Sequence, residues 1–250
     1  MSILGKLRAI LEERLALMAP SRRLRLALSD EVLSAEAAGG PLRVLDAGCG
    51  DGLLTLALAR RHANWALLGI DLRADLLEGA RERAAARSLG NVRFQPADLT
   101  KPLPEGDFDA VVSLEALEEI PDDGAALRSL AGALRPGGLL ALQVPEKHWC
   151  PVLPGSSRIW REEVRHGYSR EEIAIEVRAA GLEPVDLRPT YRSLAAAAQE
   201  IRDRIKDSPL PLRLLAFPFL AAAVRLERLG LTWGKPSATL VLARRPGQST

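Results

Sequence analysis

Nothing in this chain narrows its fold as far as the stretch Val44-Leu45-Asp46-Ala47-Gly48-Cys49-Gly50-Asp51-Gly52. An apolar run ends in an acid, three glycines alternate behind it, and a helical pattern opens at about Leu53. The pattern reads as a buried strand entering a tight turn from which a helix rises. A second acid, Asp71, closes the next apolar run twenty-five residues after Asp46. A strand–turn–helix unit with an acid after the second strand is how open α/β sheets hold a nucleotide-like ligand.

Strand and helix patterns alternate from there. Candidate strands are 42–47, 66–70, 92–95, 109–114 and 139–144, and candidate helices are 53–62, 74–88 and 123–134. Such alternation implies a parallel sheet covered on both faces. Gly90-Asn91 stops one helix, and Asp122 is placed to cap the next. Arg135-Pro136-Gly137-Gly138 makes the turn into the fifth strand. Ser169-Arg170-Glu171-Glu172 is a capping box opening a helix that Gly181 closes, and strands are expected at 183–187 and 238–243. Two helical stretches precede the sheet, 2–18 and 22–37, the second ended by Gly39-Gly40-Pro41. The expected organisation is N-terminal helices over 1–40, a sheet domain over 41–190 plus 238–245, and a helical insertion over 191–237.

The insertion is surplus to a minimal α/β domain. Residues 193–206 read as a mixed-charge helix. Residues 209–230 contain the run Leu214–Val224, apolar on every face and flanked by Arg213 and Arg225. A bilayer-spanning helix needs roughly twenty apolar residues, so this run is too short to cross. Pro209, Pro211 and Pro218 are expected to interrupt it. It reads either as a lid packed on the domain or as a surface segment in a membrane interface.

Bulk composition excludes several classes. With 47% hydrophobic and 26% charged residues, the 250-residue chain has ample core-forming material. A net charge of +2 makes no general case for nucleic acid. Two cysteines argue against a disulfide scaffold, and with three histidines they show no metal-ligand spacing, so no metal site is expected. The N-terminus, with Glu12 and Glu13 among its apolar residues, does not resemble a secretory signal. A cytoplasmic location is expected, with peripheral contact at the inner face of a membrane through 209–230 as an open reading.

The glycine spacing separates ligand classes. In a dinucleotide fingerprint the third glycine falls three residues after the second, whereas here the order is Gly48-x-Gly50-x-Gly52 with an acid two residues before the first. This arrangement resembles motif I of the class I S-adenosylmethionine-dependent methyltransferases. Asp46 through Gly52 match that family's acidic, glycine-rich loop, Asp71 its second-strand acid, and Asp98 in Gln95-Pro96-Ala97-Asp98-Leu99 its third-strand acid. Ser113–Pro121 resembles the segment after strand four, and Leu134–Gly138 the turn before strand five. The resemblance covers about residues 40–190 plus the last strand. It implies a Rossmann-like, seven-stranded, mostly parallel sheet with helices on both faces, and S-adenosylmethionine as cofactor.

On that resemblance, Asp46, Gly48, Cys49 and Gly50 form the cofactor loop, with Asp46 toward the ammonium end. Cys49 is read as a small packing residue. Asp71 would accept from both ribose hydroxyls, and its charge would repel a 2′-phosphate. Asp98 would bond the adenine amino group while Leu72 and Leu99 flank the ring. Glu115 would lie near the cofactor's methionine part or the acceptor. Where many relatives carry Glu-His, this chain has Glu118-Glu119, so no histidine is available there.

Methyl transfer is an in-line displacement, and a base helps only where the acceptor carries a proton. The candidate catalytic residues are Glu115 and, from Arg165-His166-Gly167-Tyr168, His166 and Tyr168. His166 could serve as base or orient the acceptor, and Tyr168 could instead staple onto Ile173. Trp149, Trp160 and His148 are candidates to line the same opening. The chain lacks an Asn/Asp-Pro-Pro-Tyr tetrad after strand four, shows no RNA-binding module and is only 4% aromatic, which disfavours nucleobase acceptors. A small-molecule, lipid-linked or saccharide acceptor remains, methylated at oxygen. The rival readings are a non-catalytic scaffold that binds the cofactor and an NAD-dependent oxidoreductase.

Overall fold

The structure, a computed structural model, describes residues 19–156, 164–231 and 233–247. The expected helix 2–18 and Trp160 lie outside the described residues. Seven strands form one sheet: β1 (Arg43–Ala47), β2 (Ala66–Asp71), β3 (Val92–Pro96), β4 (Phe108–Leu114), β5 (Leu134–Pro145), β6 (Glu183–Thr190) and β7 (Ala238–Arg244). Their spatial order is β3-β2-β1-β4-β5-β7-β6. All neighbours are parallel except β7, which runs antiparallel to β5 and β6. The order reverses between β1 and β4, and the crevice beyond their C-terminal ends is the place where such sheets bind ligands.

Both faces are covered. Helices α1 (Pro20–Ala37), α2 (Leu53–Arg61) and α3 (Ala74–Ala86) contribute Leu33, Leu56 and Leu77 to a core shared with Val44, Ala110 and Ala141. Helices α4 (Asp123–Ala133) and α5 (Arg170–Ala179) bury Leu127 and Ile173 against Leu45, Val111 and Leu140. Successive residues of β1 thus serve opposite cores, as the period of two along a strand requires. The expected caps are present. The Asp122 carboxylate accepts from the Ala125 N–H at 2.8 Å. Ser169 and Glu172 exchange both bonds of the capping box, at 3.1 and 2.9 Å.

Three local expectations need correction. The Arg135–Gly138 turn belongs to β5, which pairs Leu134 with Phe108 and then resumes at Leu139 opposite Ala110. The extra residues form an irregularity inside the strand. Strand β6 continues to Thr190 because β7 pairs with it throughout. Most clearly, the prolines do not interrupt 209–230. Helix α7 (Leu210–Arg228) starts from Pro209 as N-cap and runs through Pro218. Prolines in the first turn forgo only N–H groups that have no intrahelical partner, while Pro218 is exposed, so the carbonyl it leaves unpaired can meet water.

The insertion forms a third layer. Helices α6 (Ser193–Ile205) and α7 pair with each other and pack on α1. Leu24, Tyr191, Ala195, Val224 and Ala238 share a small separate core there. No side chain of its own caps α6. Instead the buried Glu227 of α7 accepts the N–H groups of Arg192 and Ala195, both at 2.8 Å. Charge-assisted bonds to a helix N-terminus are stronger than neutral ones, and Glu227→Ala removes both. The expected loss is about 2 kcal/mol, read as a fall of roughly 4–8 °C in the melting midpoint. An unchanged midpoint would mean that α6 is held by packing alone.

Candidate active site

The mouth is built from the C-terminal ends of β1, β2 and β4. Its deepest polar group is Asp46, 3% exposed, whose Oδ2 accepts from the Thr55 hydroxyl of α2 at 2.6 Å. Burial pushes the Asp46 carboxyl up to about 6, against the opposing pull of the Thr55 bond and Arg25, with Asp71 and Asp51 adding to the rise. The side chain is therefore mostly ionised at neutral pH, but at a cost.

The three glycines of the loop serve different needs. A Cβ on Gly48 would come within 2.5 Å of the Ala116 Cβ in the loop after β4, so this glycine closes two loops on one another. A Cβ on Gly52 would strike Phe94 and Ala80 at 2.6 and 2.7 Å, so it lets α2 start against β3 and α3. Gly50 has a left-handed φ of +55°, yet a Cβ there would meet nothing within 4 Å. The space above Gly50 is open. Cys49 packs its sulfur over Gly69, and burial pushes its thiol pKa up, which leaves it inert as a nucleophile.

The outer acids are also placed here. Asp71 accepts from the Gly50 N–H at 2.7 Å and the Arg73 N–H at 2.9 Å, tying the end of β2 to the glycine loop. Each of its oxygens keeps a second lone pair. Beyond β3, Asp98 spends Oδ1 on the amide and hydroxyl of Thr100, bonds that hold its pKa below the usual carboxylate range. Leu72 stands 72% exposed beside Asp71, a bare apolar surface at the rim, whereas Leu99 is packed into the core.

Glu115 opens the loop after β4 with φ +54°, in the left-handed region that costs a non-glycine residue about 1 kcal/mol. Its N–H donates to the Gln143 carbonyl at 2.9 Å, and its Oε2 lies 3.7 Å from Nη1 of Arg25. Tyr191, with φ +50°, also interacts with Arg25 and donates its hydroxyl to the Ser21 carbonyl at 2.7 Å. Burial works against the Arg25 charge, but Glu115 and Tyr191 outweigh it and hold its pKa above the ordinary value. Burial chiefly, then Glu115, raises the Tyr191 phenol. The neighbouring Arg22 pairs with Asp51 of the glycine loop at 2.9 Å. Nη1 of Arg22 and Nε of Arg25 are buried and have no hydrogen-bond partner among the described residues. The sequence pattern showed α1 as a helix but gave no sign that it crosses the mouth.

The cluster at Arg165–Tyr168 divides. Tyr168 is 1% exposed in the core, its hydroxyl donates to Asp123 at 2.8 Å, and its pKa is raised mainly by burial. It faces no open space and is a packing residue, shared with Ile173, which corrects its placement among the catalytic candidates. Gly167 allows this seating, because a Cβ there would lie 2.5 Å from the Pro145 carbonyl oxygen. His166 is exposed on a loop whose Val164 and Arg165 N–H groups donate to the Glu118 carbonyl at 2.9 and 3.1 Å. Trp149 is half-buried and His148 exposed just past β5.

Comparison with known proteins bears on what such a mouth binds. Residues 44–138 match the family model described as a methyltransferase domain. The ubiquinone biosynthesis O-methyltransferase of Neisseria meningitidis serogroup C is 31% identical over 170 residues, 61% of this chain and 69% of that protein. The chain belongs to the S-adenosylmethionine-dependent methyltransferases. Other curated methyltransferases are matched over shorter stretches, about 39% to 55% of their own length. Among solved structures, the cyclase SpnF superposes with a TM-score of 0.61 at 26% identity, over 88% of this chain and 81% of that one. Coclaurine N-methyltransferase, bound to N-methylheliamine and SAH, gives a TM-score of 0.62 at 19% identity, over 88% and 72%. That likeness is one of fold.

The residues of the mouth fit the family's cofactor, S-adenosylmethionine. Open space above Gly50, two guanidinium nitrogens without a partner among the described residues and the buried Asp46 carboxylate offer partners for both ends of an amino-acid moiety. The raised pKa of Asp46 has a sign that can be checked. An acid whose folded pKa lies above its unfolded value of about 3.9 costs stability while ionised; folding stability rises as pH falls from about 6 toward 4. Asp46→Asn removes that cost and should stabilise the ligand-free protein at pH 7, by up to about 3 kcal/mol. Its advantage should shrink in thermal melts as pH is lowered through 6. A D46N variant less stable than the parent at pH 7 would show that the Thr55 bond outweighs the burial.

Proposed function

We propose that this protein moves the methyl group of S-adenosylmethionine to an oxygen of a small-molecule, lipid-linked or saccharide acceptor. One observation carries the reading: the open space above Gly50 lies beside the carboxylates of Asp46 and Asp71 and near the two arginines of α1. When bound, the cofactor supplies a sulfonium-activated methyl carbon. Asp46 would hold the ammonium end, and Arg22 and Arg25 the carboxylate end, through the donors that have no partner among the described residues. Asp71 would take the ribose hydroxyls on its remaining lone pairs. Asp98 would accept from the adenine amino group, with the exposed Leu72 bordering the ring.

On the acceptor side, the chain's task is to place an oxygen opposite the sulfur and to take its proton. His166, exposed on the loop before α5, is the group we assign to that proton, since an imidazole nitrogen can accept it. Glu115, held by Arg25 and by its own backbone, would orient the acceptor. The O-methyltransferase name of the Neisseria relative supports oxygen as the receiving atom. A second reading keeps the cofactor without methyl transfer, and it is favoured by the 26% identity to a protein named as a cyclase.

Calorimetric titration separates these readings. S-adenosylmethionine and S-adenosylhomocysteine should bind and NAD should not; affinity for NAD alone would overturn the assignment. Gly50→Ala is the sharper probe, because its Cβ has room in the protein and its positive φ costs only about 1 kcal/mol. The variant should fold yet bind the cofactor at least about tenfold more weakly, whereas unchanged affinity would place the ligand elsewhere. With label from the methyl donor and a cell extract as acceptor pool, His166→Asn should slow transfer by about a hundredfold or more. Binding without any labelled product would favour the second reading.

A further inference from the structure

We propose that α7 and the arginine-lined groove beside it dock this protein on an anionic phospholipid bilayer. Helix α7 buries Leu220, Val224 and Glu227 against α1 and α6. At 3.6 residues per turn, Leu215, Phe219 and Leu226 turn outward from that face, with Leu212 at their edge. They are 67%, 71%, 41% and 47% exposed, with Pro211, Pro218 and Ala222 exposed among them. Past the helix, Leu229, Leu231 and Trp233 extend the strip at 70%, 56% and 61%. Isolated exposed apolar residues are ordinary, but a contiguous strip along a helix about 28 Å long marks a contact surface.

The occupant follows from the charge on one flank. A groove of about 1160 Å³ lies between α7, α1 and the C-terminal ends of α2 and α3, and it carries Arg23, Arg60, Arg61, Arg87, Arg225 and Arg228. Among the described residues of its lining, only Asp30 and Glu31 oppose these six arginines. Asp30 is spent on Arg61 and His62, and Glu31 is shared between Arg188 and Arg228. Arg60 and Arg225 are exposed with no carboxylate in ion-pair range among the described residues. An apolar face flanked by arginines matches acyl chains below a layer of phosphates. Arg225 follows the exposed Pro218 around the helix and borders the strip on the groove side, so both features can meet one surface. No described helix is long and apolar enough to cross a membrane, so the contact is one of lying on the surface.

Co-sedimentation with vesicles tests this without acceptor or methyl donor, so its outcome is independent of the proposed reaction. The full chain should bind phosphatidylcholine vesicles containing phosphatidylglycerol at least about tenfold tighter than pure phosphatidylcholine at low salt, and the difference should shrink as salt is added. The double variant Leu215→Ser, Phe219→Ser, exposed in the folded protein, should lose about tenfold or more on anionic vesicles with its melting midpoint unchanged. Arg60→Gln and Arg225→Gln should each cost about fivefold on anionic vesicles and nothing on neutral ones. Equal or absent binding to the two vesicle types would overturn the proposal, as would full wild-type binding by the serine variant. Two further results would also overturn it. One is a concentration-dependent dimer that the serine variant disperses while vesicles stay unbound, which assigns the face to a second copy. The other is displacement of the protein from vesicles by millimolar inorganic phosphate at constant ionic strength, which assigns the groove to a free anion.

Discussion

A negative charge held out of water organises this molecule. Asp46 lies one residue before the end of β1, where strand order reverses, and it is almost fully buried with its pKa raised to about 6. Such a group stays ionised at neutral pH only with help, here from the Thr55 hydroxyl and from Arg25. Arg25 must itself be balanced, and Glu115 does so from the loop after β4. Glu115 and Tyr191 both hold left-handed backbone conformations around that arginine. Strain and desolvation are thus concentrated at one opening, where a cationic ligand group would relieve the largest of these costs.

The glycine loop shows how one motif can satisfy unrelated demands. Gly48 is excluded from carrying a side chain by Ala116, and Gly52 by Phe94 and Ala80, so both are required by the protein's own packing. Only Gly50 looks onto empty space. The spacing Gly-x-Gly-x-Gly therefore identifies a loop, but one of its three glycines is the position where the space for a ligand is visible. The Asp71 bond to the Gly50 amide then fixes that loop against β2, which ties the position of the second acid to the first.

What could be read from the chain was what local chemistry decides. The capping box at Ser169–Glu172, the Asp122 cap and the apolar runs of β1, β2 and β4 depend on neighbours in sequence, and each stands where its pattern put it. What could not be read depends on tertiary context. Pro218 looked like a break, but its exposed position leaves the freed carbonyl to solvent while buried neighbours hold the helix. Arg135–Gly138 looked like a turn until pairing with β4 took it into the strand. Tyr168 has the residue type of an active-site group, yet its hydroxyl is taken by Asp123 and its ring by the core. Arg22 and Arg25 carried no motif at all, because only the packing of α1 across the sheet brings them to the mouth.

That packing gives α1 three duties. One face joins the sheet core through Leu26, Val32 and Leu33, while Leu24 and Leu28 receive α7. Its first turns carry Arg22 to Asp51 and Arg25 to Glu115. The insertion never needs to reach the mouth to affect it. Glu227 fixes α6 to α7, Arg23 lies over Phe217, and Arg228 approaches Glu31. These contacts attach α7 to the helix that carries Arg25 toward Asp46. A segment that seemed surplus to the fold is thus joined, through one helix, to the charge on which the mouth depends.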